Sequence, residues 1–160
     1  MKTLAILLGA SFMACANSNT SNKPVTEWSK PAPSAGSSHI AVNQAISKEC
    51  GMTASRAQFE FDSAAISTKD ENLDVLANCL TAGKLKDRNV RIVGYTDARG
   101  TEEYNKDLGK SRAESVASYL EGRGVKSNKI IKASRGKEYA VGKDAEGYAF
   151  DRRVEIDLAD

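Results

Sequence analysis

Asp97 stands in Gly94-Tyr95-Thr96-Asp97-Ala98-Arg99-Gly100-Thr101, between a run that alternates like a strand and a run with helical spacing. Crevices at the carboxyl ends of strands are where open α/β sheets bind ligands. An aspartate in such a turn also serves simply to hold the turn or cap the helix. In the following helix Leu108, Val116, Tyr119 and Leu120 share one face. At about 100° per residue, Asn105 and Arg112 fall in the same sector. Two polar side chains on an apolar stripe need partners. Asp97 and Arg112 can form a structural ion pair. They can instead stand apart as a split pair that receives a zwitterion. The carboxylate then takes an ammonium and the guanidinium takes a carboxylate, which its fork matches with two parallel hydrogen bonds. The spacing alone leaves both readings open.

Other chemistries have less to work with. The chain holds one histidine, His39, in a polar stretch that reads as a tether. A metal-dependent amidase needs histidine and carboxylate ligands, and a serine or cysteine hydrolase needs a base. Paired acids for glycosidic cleavage need two carboxylates at a set separation, and among many acids no pair stands out. The expectation is a binding domain, not an enzyme, with no metal and no cofactor. Charge is nearly balanced, 23 basic against 21 acidic residues for a net +2. No basic tract appears, which argues against nucleic acid as a partner.

The first residues read as a targeting segment. Met1-Lys2 is followed by an apolar run from Leu4 to Met13, with small residues around Cys15. That is the layout of a secretory signal, and it falls short of the roughly 20 apolar residues a membrane helix needs. Phe12-Met13-Ala14-Cys15 resembles a lipobox, with residues 1–14 removed and Cys15 lipidated. The alternative is cleavage after Ala16, since Ala14-Cys15-Ala16 is an A-x-A site, leaving a soluble periplasmic protein. Ala16 lacks the aspartate that resembles an inner-membrane retention signal, which points a lipidated chain to the outer membrane. In an oxidising compartment Cys50 and Cys79 can pair. Closing a loop of that length contributes about 3.5 kcal/mol.

Residues 15–39 read as the lipidated cysteine and a disordered tether, too rich in Pro, Ser and Asn to pack. Such a stretch spans roughly 25 to 30 Å on average and about 80 Å fully drawn out. The folded domain is expected over residues 40–160. Ile40, Val42, Ala45 and Ile46 fit a short helix leading to Cys50. Arg56 to Phe61 alternates as a strand. Thr68-Lys69-Asp70-Glu71 has capping-box spacing and opens a helix that ends at Gly83. Strands at Val90–Tyr95, Lys129–Ser134 and Arg153–Leu158 flank a long helix from Thr101 to Gly122. The fold class is α/β, a mixed βαβαββ sheet packed against helices.

A resemblance sharpens this. Phe59-Glu60-Phe61-Asp62-Ser63, Gly94 to Asn105, Leu108-Gly109, Arg112-Ala113 and Asp151-Arg152-Arg153-Val154 closely resemble the C-terminal, peptidoglycan-binding domain of the outer membrane protein A family. Within it, the pattern looks most like the peptidoglycan-associated lipoproteins. The resemblance covers residues 56–158 and implies an OmpA-like sandwich. It also implies noncovalent binding of peptidoglycan through the diaminopimelate of stem peptides, whose free end is a zwitterion. By it, Asp97 and Arg112 grip that end, and Asp62 and Phe61 line the pocket with Asn105 and Leu108. Arg152 and Arg153 lie nearby. It further implies docking to the periplasmic partner of the Tol system. Tyr95 and Thr96 stand where the lipoproteins usually carry histidine and alanine, and Asp151 where they carry asparagine.

Overall fold

The computed structural model describes residues 38–52, 58–59, 64–66 and 70–159. The targeting segment, Cys15, most of the tether, Thr68, Phe61 and Asp62 lie outside the described residues. Among the described residues there are five strands: β1 (Ser38–Val42), β2 (Gln58–Phe59), β3 (Asn89–Tyr95), β4 (Ile130–Gly136) and β5 (Arg153–Ala159). Four α-helices of the described residues accompany them: α1 (Gln44–Cys50), α2 (Glu71–Thr81), α3 (Glu102–Glu121) and α4 (Ala145–Asp151). The sheet order is β2-β1-β5-β3-β4. β5 runs parallel to β1 and antiparallel to β3, and β4 is parallel to β3, so the sheet is mixed. The expected βαβαββ run appears as β2-α2-β3-α3-β4-β5. The segment β1-α1 precedes it, and α4 is inserted before β5.

Local chemistry sets the helix ends. The Asp70 carboxylate accepts the Asn72 and Leu73 N–H groups at 2.9 Å each, so Asp70 rather than Thr68 caps α2. Thr101 Oγ1 accepts the Tyr104 N–H at 3.2 Å and opens α3, with Glu102 and Glu103 on the favourable side of the helix dipole. Leu73, Leu76, Leu80, Val116 and Leu120 pack on Ile40, Val90, Ile92, Val154 and Ile156 of the sheet. Cys50 and Cys79 form a disulfide with their Cα atoms 5.6 Å apart, joining the end of α1 to α2.

The first expected helix is corrected to a strand and a helix. Ile40 and Val42 alternate inward and pair with β5, and Asn43 ends the strand. Its Oδ1 accepts the Ala45 N–H at 2.8 Å and starts α1. Three residues of alternation cannot be told from helical spacing until a neighbouring strand supplies the hydrogen bonds. His39 is likewise corrected: it belongs to β1 and pairs with Arg153. Burial, and next the charge of Arg153, hold its imidazole below the usual histidine range. Among the described residues no group of His, Cys, Asp and Glu side chains is placed to hold a metal.

Candidate functional site

Two glycines bring α3 onto the end of β3. A Cβ built on Gly94 would lie 1.9 Å from the Gly109 carbonyl oxygen, and one on Gly109 would lie 2.9 Å from that of Gly94. Only glycine on both elements allows this approach. The contact fixes α3 so that Asn105, Leu108 and Arg112 lie over the turn after β3. A bulge between Gly94 and Tyr95 then shifts the register against β4, so that Tyr95 opposes Gly136. Such bulges re-aim side chains at strand ends. The Thr96 N–H donates to the Gly136 carbonyl at 2.9 Å.

The turn is held by three hydrogen bonds from two side chains. Asn105 Nδ2 donates to the Arg99 carbonyl at 2.6 Å and the Thr101 carbonyl at 2.8 Å. Lys137 Nζ donates to the Gly100 carbonyl at 2.8 Å. Gly100 has φ +81°, which lets the chain turn into α3. Thus the buried polar Asn105 is a brace for the turn as well as a wall of the site.

A cavity of about 250 Å³ opens here, lined by Thr96, Asp97, Arg99, Gly100, Tyr104, Asn105, Leu108, Arg112 and Arg152. A larger groove of about 630 Å³ runs along the outer side of α3, but its basic residue, Arg123, is committed to Asp74. The smaller cavity is therefore the candidate site. Arg112 is fully buried and its Nη1 donates to the Tyr95 carbonyl at 3.4 Å. Asp97 is 7% exposed. Its Oδ1 accepts the Arg99 backbone N–H and Nε, each at 3.1 Å. Its Oδ2 accepts Arg99 Nη2 at 2.7 Å and Arg152 Nη1 at 3.0 Å. Burial alone pushes the Asp97 carboxyl up, but the hydrogen bonds from Arg99 and Arg152 outweigh it and hold the group below the usual carboxylate range. The lining carries three guanidinium groups and one carboxylate, an excess of two positive charges.

Of the residues singled out in the sequence, Asp97, Asn105, Leu108, Arg112 and Arg152 meet in this cavity. Arg153 is not among its lining residues. Its guanidinium lies 4.1 Å from the Tyr95 ring centre and pairs with Glu155 at 2.7 Å. Arg152 caps the end of α4 and Arg153 is the first residue of β5, so the two arginines take different partners. Beside that pair, burial first and then the Glu155 charge push the Tyr95 phenol up to about 12. Asp151 is fully buried and accepts the Val141 and Gly142 N–H groups, so it secures the loop before α4. Arg99 was missed as a site residue. Its signal was its place two residues after Asp97, the spacing of an Asx turn.

Residues 58–153 match the OmpA family. The peptidoglycan-associated lipoprotein of Pseudomonas aeruginosa is 38% identical over 126 residues, covering 76% of this chain and 73% of its own length. Outer membrane protein A of Serratia marcescens is 35% identical over 114 residues, covering 62% of this chain, which spans only 32% of that relative. The crystal structure of the peptidoglycan-associated lipoprotein from Burkholderia pseudomallei is 35% identical, with a TM-score of 0.52, over 64% of this chain and 86% of that one.

Proposed function

The chain belongs to the OmpA family, and from that premise we propose that it binds peptidoglycan noncovalently as a lipoprotein of the outer membrane, facing the periplasm, and is not an enzyme. The observation that carries this reading is the cavity itself: Asp97 and Arg112 line one small pocket whose guanidinium groups outnumber its carboxylate. A guanidinium and a carboxylate in one pocket suit a ligand that carries a carboxylate beside an ammonium. The free end of diaminopimelate in a stem peptide is such a group. Arg112 takes the ligand carboxylate, and Asp97 takes the ammonium. Both contacts gain from burial, because charge-assisted hydrogen bonds are stronger away from water. Leu108 offers an apolar wall for the methylene chain between the charged ends. We assign Phe61 and Asp62 to the same pocket on the strength of the family resemblance alone.

On this reading Cys15 carries the lipid and residues 16–37 form the tether. A single acyl chain binds a membrane only marginally, so more than one is needed for a stable anchor. The resemblance to peptidoglycan-associated lipoproteins makes the periplasmic Tol-system protein a second partner. Its proposed footprint is the cavity mouth, where Tyr104 is half exposed.

The test is co-sedimentation of the purified protein with cell-wall sacculi, comparing wild type with Arg112→Ala and Arg112→Lys. Removing one partner of a buried charged contact costs about 2 to 5 kcal/mol, a loss of roughly thirtyfold or more in affinity. Circular dichroism confirms that the variants fold. Variants that are folded and pellet as well as wild type would show that the pocket is not the wall site.

A further inference from the structure

We propose that Arg99 is a displaceable stand-in for the ligand's ammonium, which must leave the Asp97 carboxylate for a zwitterion to be gripped. The proposal rests on the zwitterion reading above. A carboxylate offers about four lone-pair positions. Four donors already fill those of Asp97: the Arg99 N–H, Nε and Nη2, and Arg152 Nη1. An incoming ammonium finds no acceptor until one of them withdraws.

The two arginines are unequally placed. The Arg152 side chain is 6% exposed and sits at the junction of α4 and β5. The Arg99 side chain is 52% exposed and projects from the turn. An exposed ion pair contributes little to stability, whereas breaking a buried one is costly. Arg99 is therefore the partner that yields. It also has somewhere to go, because its guanidinium already lies 4.6 Å from the centre of the Tyr148 ring. A cation over an aromatic face is held there by the ring quadrupole. Arg152 stays and keeps Asp97 paired throughout, so the exchange swaps one cation for another without stranding a buried charge. The result is a grip that opposes its own closure and releases readily.

Calorimetric titration with two probes tests this. Meso-diaminopimelate carries ammonium and carboxylate at each end, and pimelate has the same chain with carboxylates only. Wild type, Arg99→Ala and Arg99→Lys are compared. If Arg99 competes with the ammonium, Arg99→Ala raises the affinity for diaminopimelate relative to pimelate by about fivefold, the worth of a good exposed ion pair. Arg99→Lys, which keeps the charge but loses the fork, falls between. Equal weakening of both ligands, or no change in either, overturns the proposal and makes Arg99 a carboxylate clamp or a bystander. Should pimelate bind neither protein, the direction for diaminopimelate decides: tighter supports, equal or weaker overturns. A folded wild type that binds neither probe removes the zwitterion reading and this proposal with it. A wild type that binds diaminopimelate with an unchanged ratio in Arg99→Ala removes this proposal alone.

Discussion

Gly94→Ala is the substitution that best tests how the site is built. The new methyl would stand 1.9 Å from the Gly109 carbonyl oxygen, 2.6 Å from its carbon and 2.9 Å from its Cα, all backbone atoms of α3. No rotamer change relieves that clash. Ordinary contact begins near 3.4 Å, so α3 must retreat from β3 by about 1.5 Å in an interior with few voids to take up the shift. Overpacking of this kind costs about 1 to 3 kcal/mol. For a domain of this size that lowers Tm by roughly 5 to 10 °C. Asn105, Leu108 and Arg112 ride on the displaced helix. A misplacement of about 1 Å in a positioned group can cost as much as a hundredfold. Ligand affinity should therefore fall further than stability does. Thermal unfolding by circular dichroism and titration with diaminopimelate measure the two effects. Gly122→Ala, at the helix-like C-cap of α3, is the control and should change Tm little. A Gly94→Ala protein with wild-type Tm and wild-type affinity would refute the reasoning that glycine against glycine sets the position of Arg112.

The disulfide gives a second prediction: Cys79→Ala should lose about 3.5 kcal/mol, lowering Tm by roughly 10 °C or more, and alkylation of the non-reduced protein should modify neither Cys50 nor Cys79. Acid should affect binding and stability differently. The Asp97 carboxyl is held below its ordinary 3.8, so its contribution is present above that value and is lost only as pH falls through the lower folded value, leaving binding level from pH 7 to 5. His39, held below 6.5 by burial, resists charging, so Tm should begin to fall below pH 6.5, and His39→Gln should lack that part of the fall; a wild-type Tm unchanged down to pH 5 would contradict this. Cys15→Ser should move the protein from the membrane to the soluble fraction, and failure to incorporate labelled palmitate in wild type would remove the anchor.

What the sequence could show, and what it could not, divides along physical lines. The stripe of Leu108, Val116 and Leu120 repeats often enough to announce α3, and its intrusion by Asn105 and Arg112, both buried, pointed to the cavity they line. The strand β1 and helix α4 were illegible. β1 has only Ile40 and Val42 to signal it, and its hydrogen bonds come from β5, more than a hundred residues later. α4 is seven residues long with Gly147 inside it, too short for a period to emerge. The roles within the site were harder still. The contact of Asp97 with Arg152 joins residues 55 apart in the chain, which no local pattern encodes. Gly94 and Gly109 were visible as residues, but their contact exists only once strand and helix are stacked.

The same geometry bears on how a tether would load this domain. β1 begins at Ser38, and the His39 N–H donates to the Arg152 carbonyl at 3.1 Å. Arg152 is a wall of the cavity, and Arg153 beside it pairs with His39 in the sheet. The chain thus enters the fold at the same end of the sheet as the candidate site. Under the proposed function, tension between a ligand held at Asp97 and Arg112 and a lipid on Cys15 enters at β1 and crosses to β5 within a few residues. β1 and β5 run parallel and both would be loaded at the end where they begin, so the His39–Arg152 hydrogen bond takes the pull first, ahead of the pairing from His39 to Val42. On this reading the link between anchor and grip joins the first strand to the last, next to the pocket wall.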